Sequence, residues 1–211
     1  MNQRGAFGIH GIIGGNSKST HMRILIFGLI VISFAGCGRQ QKETPPWAKS
    51  QSNWTDLMKW SYVGDTARID SALRSGMDPD ETNHTGWTPL KVAVKAGKTS
   101  VVRLLLRSNA DPNLADGVKM TPLMEACLSN NYDIAKVLIE HGADVNATLD
   151  NGWTALMGAT SYGGIELMQL LIDNKANVNA IRTTDNFTVL SIAQYHKAED
   201  KIRLLKKFGG R

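Results

Sequence analysis

The segment WTPLKVAVKAGKTSVVRLLLRSNADPNLAD, residues 87–116, contains the features that decide the fold. Thr88 suits the N-cap of a helix and Pro89 its first turn. Leu90 and Ala93 lie three residues apart, so they share one helix face, and the small alanine allows a neighbouring helix to approach closely. The segment therefore predicts a short helix that begins after Thr88.

A second helix follows within the same segment. The pair Leu104-Leu105 gives it an apolar face, and Asn109 can adopt the left-handed conformation that ends a helix. Asp111 and Asn113 then suit a turn towards the next part of the chain. The segment as a whole predicts a helix–turn–helix unit.

The same unit recurs along the chain. Its threonine stands at Thr55, Thr88, Thr121, Thr154 and Thr188, with spacings of 33, 33, 33 and 34 residues. The apolar pair recurs at Val137-Leu138, Leu170-Leu171 and Leu204-Leu205. Such a period is typical of a solenoid, in which each unit buries its apolar surface against its neighbours.

These units resemble the ankyrin repeat family, with its Thr-Pro-Leu-His-x-Ala opening and the later Gly-Ala-Asp-x-Asn found here at residues 142–146. The resemblance implies an all-α solenoid of about five helix–turn–helix units with finger-like β-turns, its first and last units being degenerate caps. The units fall near residues 53–85, 86–116, 117–150, 151–184 and 185–211. The family's histidine is replaced in every unit, by Met58, Lys91, Met124, Met157 and Ser191. We therefore expect apolar contacts to substitute for its hydrogen bonds between units.

An apolar run of eleven residues, Ile24–Phe34, precedes the repeats. At about 1.5 Å per residue it is too short for a bilayer core of roughly 30 Å. Arg23 precedes the run and Ala35-Gly36-Cys37 follows it, which is the pattern of an export signal. Residues 1–36 are therefore interpreted as a leader and signal peptide, with translation starting at Met22.

The stretch Phe34-Ala35-Gly36-Cys37 resembles a bacterial lipobox, although Phe34 stands where leucine is usual. The resemblance implies that Cys37 is lipidated; ordinary cleaved export and a retained anchor are the alternatives. Because Gly38 rather than aspartate follows the cysteine, the usual sorting pattern implies the outer membrane, facing the periplasm. We therefore expect a protein of the bacterial cell envelope.

Residues 37–52 connect the lipidated cysteine to the repeats. They are polar and contain Pro45-Pro46, so we expect a flexible tether. An ordered strand or helix is the alternative.

The composition excludes several classes of protein. Of the 211 residues, 42% are hydrophobic and 20% are charged, which excludes a disordered chain and a polytopic membrane protein. The formal net charge of +5 comes in part from Arg4, Lys18 and Arg23 of the leader. The remaining chain is nearly neutral, and we expect an exported protein of this charge not to bind nucleic acid.

The repeats contain no recognisable catalytic or metal-binding motif, and we expect no enzyme, metal or cofactor. The three histidines stand at different positions of the unit: His84, His141 and His196. Cys127 lies on a predicted apolar helix face, and we interpret it as a small buried hydrophobe. The rival hypothesis, an envelope enzyme or ligand-binding lipoprotein, would use Asp150, Asp185 and His196, which must converge in order to act.

The ankyrin resemblance implies a concave binding face made of the finger turns, the residue before each threonine, and the seventh and eighth residues after it. The predicted partner-binding residues are Trp54, Tyr62, His84, Trp87, Met120, Asp150, Trp153, Tyr162, Phe187 and Tyr195. Tryptophan and tyrosine dominate binding hot spots because they bury a large area and keep a polar tip. The alternative is that these aromatic residues only pack along the neighbouring finger.

We therefore predict a monomeric, lipid-anchored module that binds an unidentified protein. Its role is either immunity against an incoming toxin or support of an envelope enzyme as its companion. The sequence leaves that choice open.

Overall fold

The computed structural model describes residues 53–211; the predictions for the leader, Met22, the lipobox, Cys37 and the tether lie outside the described residues. The helices within this range are α1 Asp56–Val63, α2 Thr66–Arg74, α3 Pro89–Lys95, α4 Thr99–Arg107, α5 Pro122–Leu128, α6 Tyr132–Glu140, α7 Ala155–Tyr162, α8 Ile165–Asp173, α9 Val189–Tyr195 and α10 Glu199–Lys207. The strands β1 Ile181–Arg182 and β2 Phe187–Thr188 precede α9 and pair in antiparallel fashion. Across residues 53–211, no helix is long and apolar enough to cross a membrane.

The helices form five pairs that stack in chain order. The first helices of the units, α1, α3, α5, α7 and α9, each contact the next in this series, and so do the second helices, α2, α4, α6, α8 and α10. The predicted all-α solenoid is therefore confirmed. Because equivalent helices stack, residues at the same position of successive units form columns along the solenoid.

Each first helix begins after the repeated threonine. The threonine hydroxyl oxygen accepts a hydrogen bond from the backbone N–H three residues later, that of Met58, Lys91, Met124, Met157 or Ser191. Pro89 and Pro122 occupy the first positions of α3 and α5. At the last unit Ser191 completes a capping box, because its Oγ accepts a bond from the backbone N–H of Thr188 at 2.8 Å.

Each second helix is followed by a residue with positive φ: Gly76, Asn109, Gly142, Lys175 and Gly209. The next backbone N–H then folds back to the helix, as Ala110 N–H does to the Leu105 carbonyl at 3.0 Å. These are the left-handed helix ends that the sequence predicts.

The core consists of columns from both sets of helices. The leucines two residues after each threonine are buried: Leu57, Leu90, Leu123, Leu156 and Leu190. Each such side chain contributes roughly 1.5–3 kcal/mol through burial. Within the described range, buried hydrophobic residues from Leu57 to Leu205 pack as one continuous cluster.

A ladder of side-chain bonds joins the turns of successive units at Asp80, Asn113, Asn146 and Asn179. The Asn113 oxygen accepts a bond from the backbone N–H of Asp144 at 2.7 Å, and its amide nitrogen donates to the Gly142 carbonyl at 3.0 Å. Asn146 and Asn179 repeat both bonds. Asp80 accepts from the N–H of Asp111 but has no amide with which to donate. Burial raises its pKa, the bond from the Asp111 backbone N–H opposes this shift, and the charges of Asp111 and Asp78 raise the pKa further.

Candidate partner-binding site

Four fingers project between the units, and the first helices lie beside them. Finger 1 is residues 83–87, finger 2 is 116–120, finger 3 is 149–153 and finger 4 is 182–187. In the first three, a backbone bond closes the turn; in finger 1 it runs from the N–H of Asn83 to the Trp87 carbonyl at 3.1 Å. In finger 4, one extra residue in the repeat accompanies the β1–β2 hairpin. We call the surface of the four fingers and the five first helices the concave face.

Glycines let two pairs of fingers approach backbone to backbone. The N–H of Gly117 in finger 2 donates to the Thr85 carbonyl of finger 1 at 2.9 Å. Fingers 3 and 4 are joined in the same way, by the N–H of Thr183 and the Asn151 carbonyl at 2.8 Å. A Cβ atom on Gly152 would lie only 2.5 Å from the Ile181 carbonyl oxygen, so this approach requires glycine.

Between fingers 2 and 3, which both lie in the described residues 53–211, Lys119 interrupts this pattern of backbone contacts. It occupies the position equivalent to Gly86 and Gly152 and has a φ of 62°. Val118 and Asp150 are equivalent to the residues whose backbones are bonded between fingers 1 and 2 and between fingers 3 and 4. No backbone bond joins Val118 to Asp150, and we attribute this gap to the Cβ atom of Lys119. A side-chain bridge, 2.5 Å between Lys119 Nζ and Asp150 Oδ1, takes its place. Val118 is left 66% exposed at the tip of finger 2.

Lys91, at the family's histidine position, connects its helix to finger 2. Its Nζ donates to Asp116 Oδ2 at 2.6 Å and to the Met120 carbonyl at 2.7 Å. It also lies 5.5 Å from the centre of the Trp87 ring, within cation–π range. Apolar contacts therefore do not replace the family's histidine bond in every unit, because at this position a lysine makes equivalent bonds.

Arg182 lies between two predicted site residues. Its guanidinium carbon is 5.3 Å from the Trp153 ring centre and 5.2 Å from that of Phe187. The same guanidinium pairs with Asp185 and holds the pKa of that carboxyl below its usual value. The stack ties finger 3 to finger 4, so Trp153 and Phe187 stabilise the fingers as well as lining the face.

The predicted aromatic residues differ widely in exposure. Tyr62 and Trp54 are half-buried and meet edge to face at 5.9 Å. Tyr162 is 40% exposed and Tyr195 is 74% exposed, on α7 and α9. Tyr195 meets the His196 ring at 5.4 Å.

Three other predicted site residues have distinct environments. Met120 is buried in the core, so its side chain offers little surface to a partner. His84 is exposed at finger 1, where its Nδ1 lies 2.8 Å from the side-chain amide nitrogen of Asn53. Asp150 is exposed at finger 3 and is bridged to Lys119.

Each residue of the rival enzyme hypothesis has a different partner. Asp150 pairs with Lys119, Asp185 pairs with Arg182, and His196 contacts Tyr195. No group of three or more His, Cys, Asp or Glu that could hold a metal occurs between residues 53 and 211. Cys127 is buried in α5, and burial raises the pKa of its thiol.

Sequence reasoning identified Asp150 but not the basic residues that organise the face, Lys91, Lys119 and Arg182. Lys91 was visible as a departure from the family pattern, but only the fold shows that it reaches Asp116. The spacing of 34 rather than 33 residues before Thr188 indicates an extra residue in finger 4, the finger that contains Arg182. Lys119 is signalled by its position, which is glycine in fingers 1 and 3.

Stacked helix pairs joined by projecting fingers define a repeat protein whose units depend on their neighbours. Residues 57–149 match the family model for ankyrin repeats in three copies, and residues 151–183 match the model for the single ankyrin repeat. The chain belongs to the ankyrin repeat family. The matches include the first unit but end before the last unit. The structure shows that the last unit also forms a helix pair, α9 and α10. No curated protein matches the chain.

Proposed function

We propose that this ankyrin repeat protein binds a protein partner through the concave face. The observation that carries the proposal is the exposure of Tyr162 and Tyr195 on two stacked first helices, at 40% and 74%. Exposed tyrosines suit binding, since they bury a large area at low conformational cost when a partner covers them. The half-buried Trp87 and Trp153 line the same face at the bases of fingers 1 and 3, and the half-buried Trp54 precedes α1.

The proposal includes a lipid anchor on Cys37 and a location in the bacterial envelope, facing the periplasm. Its support is the apolar run Ile24–Phe34 followed by the lipobox-like stretch that ends in Cys37. Replacing Cys37 by alanine is expected to move the protein from the membrane fraction to the soluble periplasmic fraction. Continued membrane attachment of that variant would refute the lipid anchor.

In the envelope, the protein holds or inhibits its partner and performs no chemistry of its own. Two roles fit, neutralising an incoming toxin and supporting a resident envelope enzyme. They differ in where the partner comes from. A resident partner is captured from the producing strain's own envelope extract, and an incoming toxin only from a competing strain.

The binding test compares two tyrosine variants of residues 53–211. Tyr162→Ser with Tyr195→Ser changes the concave face, whereas Tyr132→Ser changes a tyrosine on the second helix α6 that is as exposed as Tyr162, at 40%. We expect the first variant to lose partner capture and the second to retain it. Equal capture by both variants would remove the concave face as the binding surface.

The tryptophans are less suitable for this test. Trp87 contacts Lys91, and Trp153 contacts Arg182, so replacing either removes a contact between units as well as a binding surface. A loss of binding in such variants has to be compared with their loss of stability. The two tyrosines are better suited to the test because they are more exposed than the half-buried tryptophans, Tyr162 at 40% and Tyr195 at 74%.

A further inference from the structure

Every Lys, Arg, Asp and Glu of the concave face has an ionic partner within that face. The ten residues form five pairs: Asp56–Lys59, Lys91–Asp116, Lys95–Glu125, Lys119–Asp150 and Arg182–Asp185. They include all such residues of the four fingers and of the five first helices. The lysine, arginine, aspartate and glutamate charges of the concave face therefore sum to zero.

The five pairs differ in how deeply they are buried. Lys91–Asp116 is almost fully enclosed, and Glu125 is buried while its partner Lys95, at 2.5 Å, is partly exposed. Lys119–Asp150 and Asp56–Lys59 are exposed, at 2.5 Å and 2.9 Å. A buried charge needs a partner of opposite sign, so burial explains why the enclosed pairs exist. An exposed charge is well solvated by water and needs no such partner. Burial therefore does not explain why the exposed charges are also paired.

The second helices are paired only in part, with Arg74–Asp70 in α2 and Arg203–Asp200 in α10. In α4 and α6, none of Arg103, Arg107, Asp133, Lys136 and Glu140 forms an ion pair with another residue of the range 53–211. Unpaired charges of both signs are usual on a surface that faces water. Ion pairs therefore also occur on α2 and α10, and what distinguishes the concave face is that its pairing is complete.

We infer that the partner segment bound by the concave face is uncharged and apolar, a conclusion that rests on the proposed function. A charged partner would find no unpaired group of opposite sign there and would lose its hydration without compensation. An uncharged segment would meet Val63, Val118, Tyr162 and Tyr195, the exposed large apolar and aromatic side chains of this face. The charge pairs then reject charged competitors, and the tyrosines supply the contact area.

The test uses residues 53–211, immobilised, and a library of short random peptides displayed on phage. Selection is run at about 0.15 M and about 1 M NaCl, where the Debye length is about 8 Å and 3 Å. Bound sequences are compared with those selected on the Tyr162→Ser/Tyr195→Ser variant and on Tyr132→Ser. We expect enriched peptides that are rich in aliphatic and aromatic residues, poor in charge, retained at high salt and lost only on the double variant.

Two results overturn different statements. An acidic or basic consensus that is lost at high salt refutes the uncharged partner and leaves binding by the concave face intact. Absence of any peptide that depends on Tyr162 and Tyr195, with the domain shown to be folded, refutes the proposed function together with this inference.

A charge-pair cycle tests the same inference on one enriched peptide. Asp150→Asn leaves Lys119 without its partner, and we expect the affinity to fall about twofold to fivefold. The double variant Lys119→Gln/Asp150→Asn is again uncharged and should recover the affinity. Arg103→Gln on α4 is the matched control and should have no effect. Failure of the double variant to recover shows that the bridge acts through geometry rather than charge and refutes the role assigned to pairing.

Discussion

Lys91 Nζ lies 2.6 Å from Asp116 Oδ2, with only 1% and 8% of the two side chains exposed. The pair joins the first helix of one unit to the finger that precedes the next. Burial lowers the pKa of Lys91, and Asp116 opposes that shift. Asp116 also accepts bonds from the backbone N–H groups of Val118 and Met120, so one carboxylate both shapes finger 2 and anchors Lys91.

We expect Lys91→Met to destabilise the domain strongly, by about 3 kcal/mol, because it leaves the Asp116 carboxylate buried without a cation. Adding Asp116→Asn should restore a large part of this loss, since an amide oxygen still accepts the two finger bonds. Urea denaturation of both variants measures the difference. If the double variant is no more stable than Lys91→Met alone, an uncompensated charge is not the cause.

Lys119→Gly is expected to stabilise the domain, by about 1 kcal/mol, because it removes a side chain from a left-handed backbone conformation. The exposed bridge to Asp150 that it removes contributes little. Without the Cβ, finger 3 can approach finger 2, and the amide of Asp150 should become protected from hydrogen exchange. Thermal denaturation and amide exchange measure the two effects.

The matched control for this change is Lys119→Ala, which loses the charge but keeps the Cβ. It should neither raise the melting temperature nor protect the Asp150 amide. Equal stabilisation by alanine and glycine would contradict the steric explanation of the gap between the fingers.

Gly152→Ala and Gly142→Ala separate steric contact from backbone strain. Both glycines have positive φ, 77° and 87°, but only at Gly152 would the new Cβ meet another atom, the Ile181 carbonyl oxygen at 2.5 Å. We expect Gly142→Ala to cost about 1–2 kcal/mol from conformation alone. Gly152→Ala should cost clearly more, because finger 4 must move. Similar losses in thermal denaturation would show that fingers 3 and 4 are not in close contact.

Asp80→Asn should stabilise the domain at neutral pH by about 1 kcal/mol, because the amide can donate to the Asn109 carbonyl as Asn113 does to Gly142. The raised pKa of Asp80 means that its ionised form disfavours the folded state. This penalty is present above the folded-state pKa and disappears as the pH falls through it towards the ordinary value of 3.8. The advantage of Asp80→Asn should therefore shrink on acidification.

The reverse change, Asn113→Asp, is the control for the ladder. It removes one donated bond and introduces a carboxylate, so it should destabilise the domain at neutral pH and less so in acid. A pH-independent gain for Asp80→Asn would indicate that ionisation of Asp80 does not matter.

Much of the fold follows from local chemistry in the sequence. Thr88 and Pro89 favour a helix start and Gly142 favours a helix end, because capping and left-handed conformations depend mainly on adjacent residues. The 33-residue period adds that the units must stack, since none buries enough apolar surface alone. The candidate site was predictable only as sets of equivalent repeat positions, and the structure places Tyr162 and Tyr195 of these sets on first helices.

Burial and pairing at the site could not be predicted in this way. Met120 and Trp87 occupy the same column, yet one is buried and the other half-buried, because side-chain size and the neighbouring unit decide how far each reaches. The partners of Lys91 and Lys95 are 25 and 30 residues away along the chain. No local rule selects such a pair.

The sequence by itself determined the helix starts, the helix ends and the repeat, because these depend on the intrinsic conformational preferences of Thr, Pro, Gly and Asn and on spacing. Only the tertiary structure decided which fingers touch and which charges are paired. Those outcomes depend on distances between units, where a single Cβ at Lys119 separates two fingers and where stacked helices bring Lys95 within 2.5 Å of Glu125.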